Sequence, residues 1–417
     1  MERIIVKKST GLKGRIRVDG SKNSILPILA ATLLCKEECI IHDIPDLQDV
    51  KIMCRLLEEL GAKIERTGNG SLKVNTENIK NCEAPYDLIS KMRASFLVMG
   101  PLLTRCHMAK VYMPGGCAIG ARPIDLHLKG FKSLGSDVKS ESGYVHAITE
   151  KLIGTNIYLD FPSVGATENL LMAATLAEGE TIIENAAEEP EIVDLANFIN
   201  SMGGNIIGAG TKTIRIRGVE ELHKTEHTVI PDRIEAGTYM VVAAATCGDV
   251  MIENVVPSHL QPVIAKLREA GVIVDEYDDK IRVKAGDTIK ALDIKTLPYP
   301  GFPTDMQAQF MALLSKAEGT SIINETIFEN RFMHANEMAK MGLDVKIEGS
   351  TAILKGRSHL TGAKVKATDL RAGAALIIAG LIADGETEIT EVYHIKRGYS
   401  KIIEKLRSLG ADISYEE

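Results

Sequence analysis

The 417-residue sequence is poor in aromatic residues, which make up 4% of it, and it contains no tryptophan. Stacking of bases on aromatic side chains is a common means of binding single-stranded nucleic acid, so this class of function is disfavoured. The formal net charge of -7 also leaves no overall basic field to attract polyanions. A cleft can still gather a few Arg and Lys locally, so a site for a small anion stays open.

The sequence also lacks the patterns of several other classes of protein. Its seven cysteines form no CxxC pair, which disfavours a disulfide framework or a zinc site and favours a reducing compartment. No GxGxxG follows a strand-like run and no GxxxxGK[ST] occurs, so nicotinamide and P-loop nucleotide sites are disfavoured. The N-terminus, MERIIVKKST, has no signal-peptide run, and the longest apolar stretch, 372–383, is too short to span a bilayer. We therefore expect a cytoplasmic chain without metal or cofactor.

An internal repeat is the strongest organisational feature of the sequence. Six segments share a β-like run, a loop, an amphipathic helix, and a glycine followed by another β-like run. Each glycine fits the position just after a helix, where a positive φ costs this residue little. The glycines recur every 68 to 74 residues, at Gly61, Gly135, Gly203, Gly271, Gly342 and Gly410.

Six further helices are predicted between these segments, at 25–34, 93–103, 166–177, 234–247, 305–317 and 370–383. They are apolar on nearly every face, as in YMVVAAAT, and such helices are buried. Each unit is thus predicted to place one buried and one half-exposed helix against a sheet. Three units per half give two similar α/β domains, with a hinge near residues 227–232.

Charged residues stand at the starts of several of these apolar helices: Lys22 beside Asn23, Arg93, Asp305 and Arg371. Cations oppose the dipole at a helix N-terminus unless an anion compensates them. The alternative is that they reach solvent or pair with a carboxylate. Asp305 has the opposite sign and is interpreted either as a helix N-cap or first-turn carboxylate, or as a general base held at the domain cleft.

The segment PGGCAIGARPIDLHL departs most from its counterparts in the other repeats. Three glycines and two prolines around Cys117 predict a loop, and nearby Arg122 favours a reactive thiol; the alternative is an incidental surface cysteine. Arg331 and Arg397, in two further loops, complete a candidate multi-cation site with Lys22, Arg122 and Arg371. Arginine suits carboxylate and phosphate equally.

These residues carry a resemblance to the enolpyruvyl transferase family, and within it to the branch that uses UDP-N-acetylglucosamine. The similarity covers the whole chain, in the ordered motifs GSKNS, PGGCAIGARPIDLHL, FPSVGATEN, GFPTDMQAQ, ENRFMHANEM and IKRGY. It implies an inside-out α/β barrel of βαβαββ-type units in two domains, 22–229 and 1–21 with 230–417. The active site would lie in the cleft between them.

The resemblance also implies roles for individual residues. Lys22, Arg122 and Arg397 would hold the phosphate of phosphoenolpyruvate, Arg331 and Arg371 would bear on its carboxylate and on closure, and Asn23 would contact the reacting sugar. The residues implied for UDP-N-acetylglucosamine are Arg93, Arg122, Pro123, Ile124, Asp125, Leu126, Ser163, Val164, Gly165, Asp305 and Ile327. Phe161 stands where some members have Lys, so that diphosphate contact is not carried over.

The implied reaction adds the enolpyruvyl group of phosphoenolpyruvate to the sugar 3-hydroxyl and releases phosphate, as the first committed step of peptidoglycan synthesis. Cys117 fits the acid and Asp305 the base, with Lys22, Arg122 and Arg397 as an electrostatic clamp. The partners are these two small molecules, without nucleic acid or membrane insertion, for a monomer or weak homo-oligomer. The alternatives are a transferase acting on shikimate 3-phosphate and a non-catalytic, DNA-clamp-like ring.

The Cys117 loop yields a direct chemical prediction. Fosfomycin, an epoxide that resembles phosphoenolpyruvate, should alkylate Cys117, because this is the only cysteine in a glycine-flanked loop. Peptide mass spectrometry after labelling checks the site of the adduct. An adduct mainly on Cys247 or Cys35 would contradict a catalytic role for the loop.

Overall fold

In the computed structural model, the described residues are 2–68, 70–113, 119–120, 124–141 and 143–416. They fall into two compact units. The first unit comprises residues 20–113 and 124–230, and the second comprises residues 2–19, 119–120 and 231–416. Each unit has one hydrophobic core of its own.

The described strands of the first unit form three four-stranded sheets, ordered β14-β3-β5-β4, β6-β7-β9-β8 and β10-β11-β13-β12. Their bounds are β3 (Glu38–His42), β4 (Lys63–Thr67), β5 (Ser71–Asn75), β6 (Glu83–Ala84), β7 (Met108–Tyr112), β8 (Asp137–Glu141), β9 (Tyr144–Ile148), β10 (Asn156–Tyr158), β11 (Glu180–Glu184), β12 (Ile206–Ile207), β13 (Thr213–Arg217) and β14 (Glu226–Thr228).

The second unit likewise has three four-stranded sheets among its described residues, ordered β16-β17-β15-β2, β18-β19-β21-β20 and β22-β23-β1-β24. Their bounds are β1 (Arg3–Lys7), β2 (Lys13–Arg17), β15 (Asp249–Glu253), β16 (Ile273–Glu276), β17 (Lys280–Lys284), β18 (Ile294–Lys295), β19 (Thr320–Asn324), β20 (Val345–Glu348), β21 (Thr351–Lys355), β22 (Lys364–Lys366), β23 (Glu386–Thr390) and β24 (Ile413–Glu416).

All six sheets share one pairing scheme, with a parallel edge strand followed by two antiparallel pairs. In the sheet of β18 to β21, for example, β18 pairs parallel with β19, while β21 pairs antiparallel with both β19 and β20. The N-terminal strands complete two sheets of the second unit: β2 lies parallel to β15, with Ile16 opposite Ile252, and β1 lies between β23 and β24. The two ends of the chain therefore share one unit.

Six helices are buried along nearly their whole length: α1 (Lys22–Ala31), α4 (Met99–Cys106), α6 (Val164–Ala174), α8 (Arg233–Ala245), α10 (Gln307–Leu314) and α12 (Leu370–Ile382). The 3-10 helices Arg93–Val98 and Thr304–Met306 lead into α4 and α10. In the second unit α8, α10 and α12 pack against one another. The predicted apolar helices are confirmed.

The sheets cover these helices with one face, as period-two burial requires. In β13 (TIRIR) the two isoleucines are buried and the other three side chains are exposed. Helices thus lie inside each unit and sheets outside, and each sheet of described strands is separate rather than part of a closed ring.

The other described helices are the amphipathic α2 (Gln48–Leu60), α5 (Asp125–Ser133), α7 (Pro190–Ser201), α9 (Gln261–Glu269), α11 (Met333–Lys340) and α14 (Ile402–Ser408), with the short α3 (Tyr86–Ile89) and α13 (Tyr393–Lys396). Each amphipathic helix is followed by one of the six repeat glycines, and all six glycines have φ between 90° and 115°. This left-handed conformation is the reason for glycine, and the prediction of six helix ends is confirmed.

Within the described part of the chain, no helix combines the length and apolar character needed to cross a membrane.

Candidate active site

Lys22 is the first residue of α1, and it is buried. Its Nζ lies 2.9 Å from Oδ2 of Asp49, a carboxylate that is only 1% exposed in the first turn of α2. The ion pair with a carboxylate, which sequence reasoning left open as an alternative, is thus observed at Lys22. It fixes the ammonium group at the helix start, beside the half-buried Asn23.

His127, a buried residue in the first turn of α5, lies near several predicted residues of the first unit. Asn169 uses its Oδ1 to accept from the Gly100 N–H at 2.7 Å, so its Nδ2 is the donor to the Phe96 carbonyl and to His127 Nδ1, both at 3.1 Å. His127 Nδ1 is therefore an acceptor, and the proton of the neutral ring lies on Nε2. Burial, with Arg93 as a further cause, lowers the pKa of His127 to about 3.

The neutral His127 ring faces the start of α6. A Cβ on Gly165 would lie 3.5 Å from His127 Nε2, and Ser163 caps the helix by accepting from the N–H three residues on, at 3.4 Å. His127 lies in the first turn of α5, directly after Ile124, Asp125 and Leu126, and α5 packs against α6. Free N–H groups at a helix N-terminus favour an anionic ligand.

In the second unit the carboxylate of Asp305 contacts two arginines. Oδ1 accepts from Arg331 Nη2 at 2.8 Å, and Oδ2 accepts from Arg371 Nη2 at 3.1 Å. The arginine side chains are 4% and 3% exposed, whereas that of Asp305 is 28% exposed. Asp305 is therefore the shared counter-ion of two buried cations, and part of it remains open to solvent.

Asp305 is a carboxylate in the first turn of its helix, as one alternative had it, but it does not cap that helix. Neither Thr304–Met306 nor α10 has a side-chain cap, whereas the aspartates that open the two sister helices do cap them. Asp232 accepts from the backbone N–H of Ile234 at 2.8 Å, and Asp369 accepts from that of Arg371, also at 2.8 Å. In the second unit an aspartate stands at the start of each buried helix, and the carboxylate of Asp305 contacts the two buried guanidinium groups.

Arg331 and Arg371 have more donors than Asp305 uses. Arg331 Nη1 and Arg371 Nε are buried and have no hydrogen-bond partner among the described residues. A buried donor without an acceptor is costly, and a guanidinium binds a carboxylate best through two parallel N–H groups. The pair has the spare donors that a carboxylate or phosphate ligand requires.

Glu325, which is 2% exposed, fixes the segment that precedes Asp305 and the loop that precedes Arg331. Its carboxylate accepts from the hydroxyls of Thr296 and Thr304, each at 2.9 Å, and from the backbone N–H of Ile327 and Phe328, at 2.9 and 3.3 Å. Thr304 directly precedes Asp305, and the two backbone donors belong to the loop that leads to Arg331. Glu325 thus ties the carboxylate and one of its arginines to the end of β19.

The remaining candidates are less closely connected. Ile327 is a half-buried loop residue, and Arg397 follows α13 and is also half-buried. The adjacent Lys396 contacts the carboxylate of Glu2 at 2.9 Å. Phe161 is 47% exposed. Three candidates, Cys117, Arg122 and Pro123, lie outside the described residues.

Sequence reasoning missed the side chains that support the site, chiefly Asp49, His127, Asn169, Glu325 and Tyr399, whose hydroxyl accepts from Arg371 Nη1 at 3.1 Å. One signal was available in GFPTDMQAQ, where two glutamines interrupt an apolar helix, because buried amides need partners. Tyr399 stands in the quoted motif IKRGY, from which only the cations were used. No pattern of spacing pointed to Glu325 or Asp49.

Comparison with known proteins connects this geometry to a family. Residues 6–406 match the model of the family described as EPSP synthase (3-phosphoshikimate 1-carboxyvinyltransferase). The UDP-N-acetylglucosamine 1-carboxyvinyltransferase 1 of Caldanaerobacter subterraneus subsp. tengcongensis is 63% identical over 411 residues, which cover 99% of each chain. The chain belongs to the enolpyruvyl transferase family.

A second relative agrees with this membership, and solved structures share the fold. The UDP-N-acetylglucosamine 1-carboxyvinyltransferase of Finegoldia magna is 58% identical, over 99% of this chain and 98% of that one. The enolpyruvyl transferase NikO from Streptomyces tendae is 24% identical with a TM-score of 0.90, over 99% of this chain and 98% of that one. EPSP synthase from Acinetobacter baumannii is 19% identical with a TM-score of 0.78, over the whole of both chains. These structures confirm the predicted enolpyruvyl transferase fold.

Glu325 gives a prediction that tests the support of the site. Glu325→Gln keeps the shape but turns an amide N–H₂ toward donors, so we expect the free energy of unfolding to fall by about 2 kcal/mol. Urea denaturation measures this change. The control is Glu348→Gln, which replaces an exposed carboxylate beside Lys346 and should leave stability unchanged. Equal stability of the two variants would show that Glu325 does not hold this loop.

Proposed function

We propose that this enolpyruvyl transferase moves the enolpyruvyl group of phosphoenolpyruvate to the 3-hydroxyl of UDP-N-acetylglucosamine and releases phosphate. The observation that carries the proposal is the Asp305 carboxylate, held by Arg331 and Arg371 with one part exposed. Close relatives that extend over 99% of this chain bear the name of this activity.

Asp305 has the properties that a base toward a hydroxyl needs. The two guanidinium groups fix its direction and leave part of the side chain accessible. A carboxylate in a helix cap would instead be occupied by backbone N–H groups. We propose that Asp305 accepts the proton of the sugar 3-hydroxyl as that oxygen attacks.

The cations are proposed to bind the two ionised ends of phosphoenolpyruvate. Arg331 and Arg371 have buried N–H groups without partners in the described residues, which suits its carboxylate. Lys22, Arg122 and Arg397 are proposed for its phosphate. Lys22 is held by Asp49, so its ammonium is already ordered before a ligand arrives.

A second set of residues is proposed for the sugar nucleotide. Around His127, the start of α6 offers N–H groups, with Arg93 near enough to affect the ring. Ser163, Val164 and Gly165 would bind here, with Asn23, Arg93, Ile327 and the segment from Arg122 to Leu126. The prediction that both sets of residues act in one active site remains a prediction.

The chemistry orders the steps. Protonation of the methylene carbon of phosphoenolpyruvate gives an oxocarbenium-like centre, with Cys117 as the proposed acid. The 3-hydroxyl then attacks and loses its proton to Asp305, giving a tetrahedral phospho-ketal. Loss of a proton from the methyl group and of phosphate restores the vinyl ether, with the departing charge stabilised by the cations.

Further parts of the proposal follow from this reaction. The product would enter peptidoglycan synthesis, and with it cell-wall biogenesis, cell shape and division. A pyruvate-derived adduct and alkylation by fosfomycin are proposed for Cys117, and a cytoplasmic location fits the two soluble substrates. The rival acceptor is shikimate 3-phosphate, the substrate in the description of the family model.

Release of phosphate from phosphoenolpyruvate tests the acceptor. We expect release with UDP-N-acetylglucosamine, and none above background with shikimate 3-phosphate or without an acceptor. Mass spectrometry of the nucleotide product should show the added enolpyruvyl group. Release with shikimate 3-phosphate instead would overturn the assignment.

Two adjacent cations provide the control for this assay. Arg397→Ala should strongly reduce phosphate release at low phosphoenolpyruvate concentration with little change in thermal unfolding. Lys396→Ala should retain release, because this ammonium binds Glu2 and the Tyr415 hydroxyl. Equal losses of activity in both variants would mean that Arg397 acts through the fold of the segment.

A further inference from the structure

A set of polar side chains lies behind Asp305, in the interior of the second unit. Tyr399 is 3% exposed, and Thr238 and Gln309 are 1% and 0% exposed. They come from different elements: Thr238 from α8, Gln309 from α10, and Tyr399 from the segment after α13. Buried polar groups are costly unless they are hydrogen-bonded, so their partners show what this set does.

The hydrogen bonds of Tyr399 have a defined direction. Arg371 Nη1 donates to its hydroxyl oxygen at 3.1 Å. Thr238 Oγ1 gives its only proton to the Ile234 carbonyl at 2.8 Å, so in the 3.0 Å contact between the two hydroxyls Tyr399 is the donor. Burial raises the pKa of Tyr399, so the phenol keeps the proton that this arrangement needs.

The same set also contacts Asp305 directly. Gln309 Nε2 donates to the backbone carbonyl of Asp305 at 2.9 Å and to Thr238 Oγ1 at 3.1 Å. Asp305 is thus linked to the set twice, at its carbonyl by Gln309 and at its carboxylate by Arg371. The hydroxyl of Tyr399 is one of two acceptors of the Arg371 guanidinium among the described residues, the other being Asp305 itself.

We propose that Tyr399 is a positioning residue that fixes the guanidinium of Arg371 through Nη1. With Nη1 on Tyr399 and Nη2 on Asp305, the plane of the guanidinium is set, and its free Nε–H is held in one direction. On the proposed function, that orientation serves the carboxylate of phosphoenolpyruvate. Without the hydroxyl, Nη1 is a buried donor with no acceptor, and the group can rotate away from Asp305.

Tyr399→Phe removes only this oxygen. We expect the KM for phosphoenolpyruvate to rise about tenfold, the effect of one hydrogen bond to a charged group, while the KM for UDP-N-acetylglucosamine stays within about twofold. A merely structural role would reduce the active fraction and leave both KM values alone. The matched control is Tyr239→Phe, since Tyr239 is fully buried and its hydroxyl makes no well-formed hydrogen bond within the described residues; both KM values should stay at parent levels.

A double-mutant cycle tests whether Tyr399 acts through Arg371. In an Arg371→Lys background, Tyr399→Phe should add little further loss, because the group that it positions is gone. If Tyr399→Phe raises the KM for phosphoenolpyruvate by the same factor in the Arg371→Lys background as in the parent, the proposal is overturned. Where Tyr399→Phe fails to fold, Thr238→Val serves instead, since it removes the acceptor that orients the phenol and should raise the same KM in the same background-dependent way.

A readout without substrate separates this proposal from the proposed function. In protein labelled with ¹⁵N-arginine, the Nη signals of Arg371, assigned by their loss in Arg371→Lys, should be resolved in the parent and merge in Tyr399→Phe as rotation accelerates. Unchanged Nη signals would refute positioning, whatever the activity. If the signals merge in Tyr399→Phe but the parent protein releases no phosphate, the positioning role of Tyr399 is supported and the proposed function is refuted.

Discussion

Two guanidinium groups in the interior of the second unit require negative charge, and the carboxylate of Asp305 meets both. Arg331 and Arg371 are 4% and 3% exposed, and a buried charge left without a partner costs several kcal/mol. The contacts at 2.8 and 3.1 Å therefore constrain three separate segments: the start of α10, the loop before α11 and the start of α12. The buried Glu325 accepts hydrogen bonds from two of these segments, before Asp305 and before Arg331. The buried Tyr399 accepts one from Arg371 in the third.

The repeat explains why such a site is available. The buried helices α10 and α12 belong to neighbouring repeats, and their starts meet where Arg371 contacts Asp305. At two helix starts the aspartates, Asp232 and Asp369, keep their local function as caps. At the third, Asp305 contacts two arginines instead.

The sequence predicted what depends on local rules and missed what depends on contacts between distant residues. Helix ends followed from glycine alone, because a positive φ is a property of one residue, as at Gly271 with φ 90°. Buried helices followed from composition. By contrast, the residues of β1 do not indicate that this strand pairs with β23 and β24. The alternation of apolar and polar residues along a strand shows which face is buried, but not which strands lie beside it.

The candidate site shows the same division. Lys22, Asp305 and Arg371 were identified because each breaks an apolar pattern, but which carboxylate pairs with which cation was not predicted. Asp49 is one carboxylate among many in the sequence, and its role follows only from its 2.9 Å contact with Lys22. Asp305 is a first-turn carboxylate that does not cap its helix, because a local rule competes with a stronger, non-local one: two buried charges outweigh a cap worth about 1 kcal/mol.

Turnover of Asp305→Asn, measured with calorimetric binding of UDP-N-acetylglucosamine on the same folded sample, tests the central claim most directly. The control is Asp249→Asn, whose side chain is also 28% exposed and also bound by an arginine, Arg282, but in a sheet of the same unit. If Asp305 is the base, its variant should lose about 10²- to 10⁴-fold in turnover and still bind the sugar nucleotide, while the Asp249 variant turns over like the parent. Turnover of Asp305→Asn within a few-fold of the parent would show that Asp305 only neutralises Arg331 and Arg371.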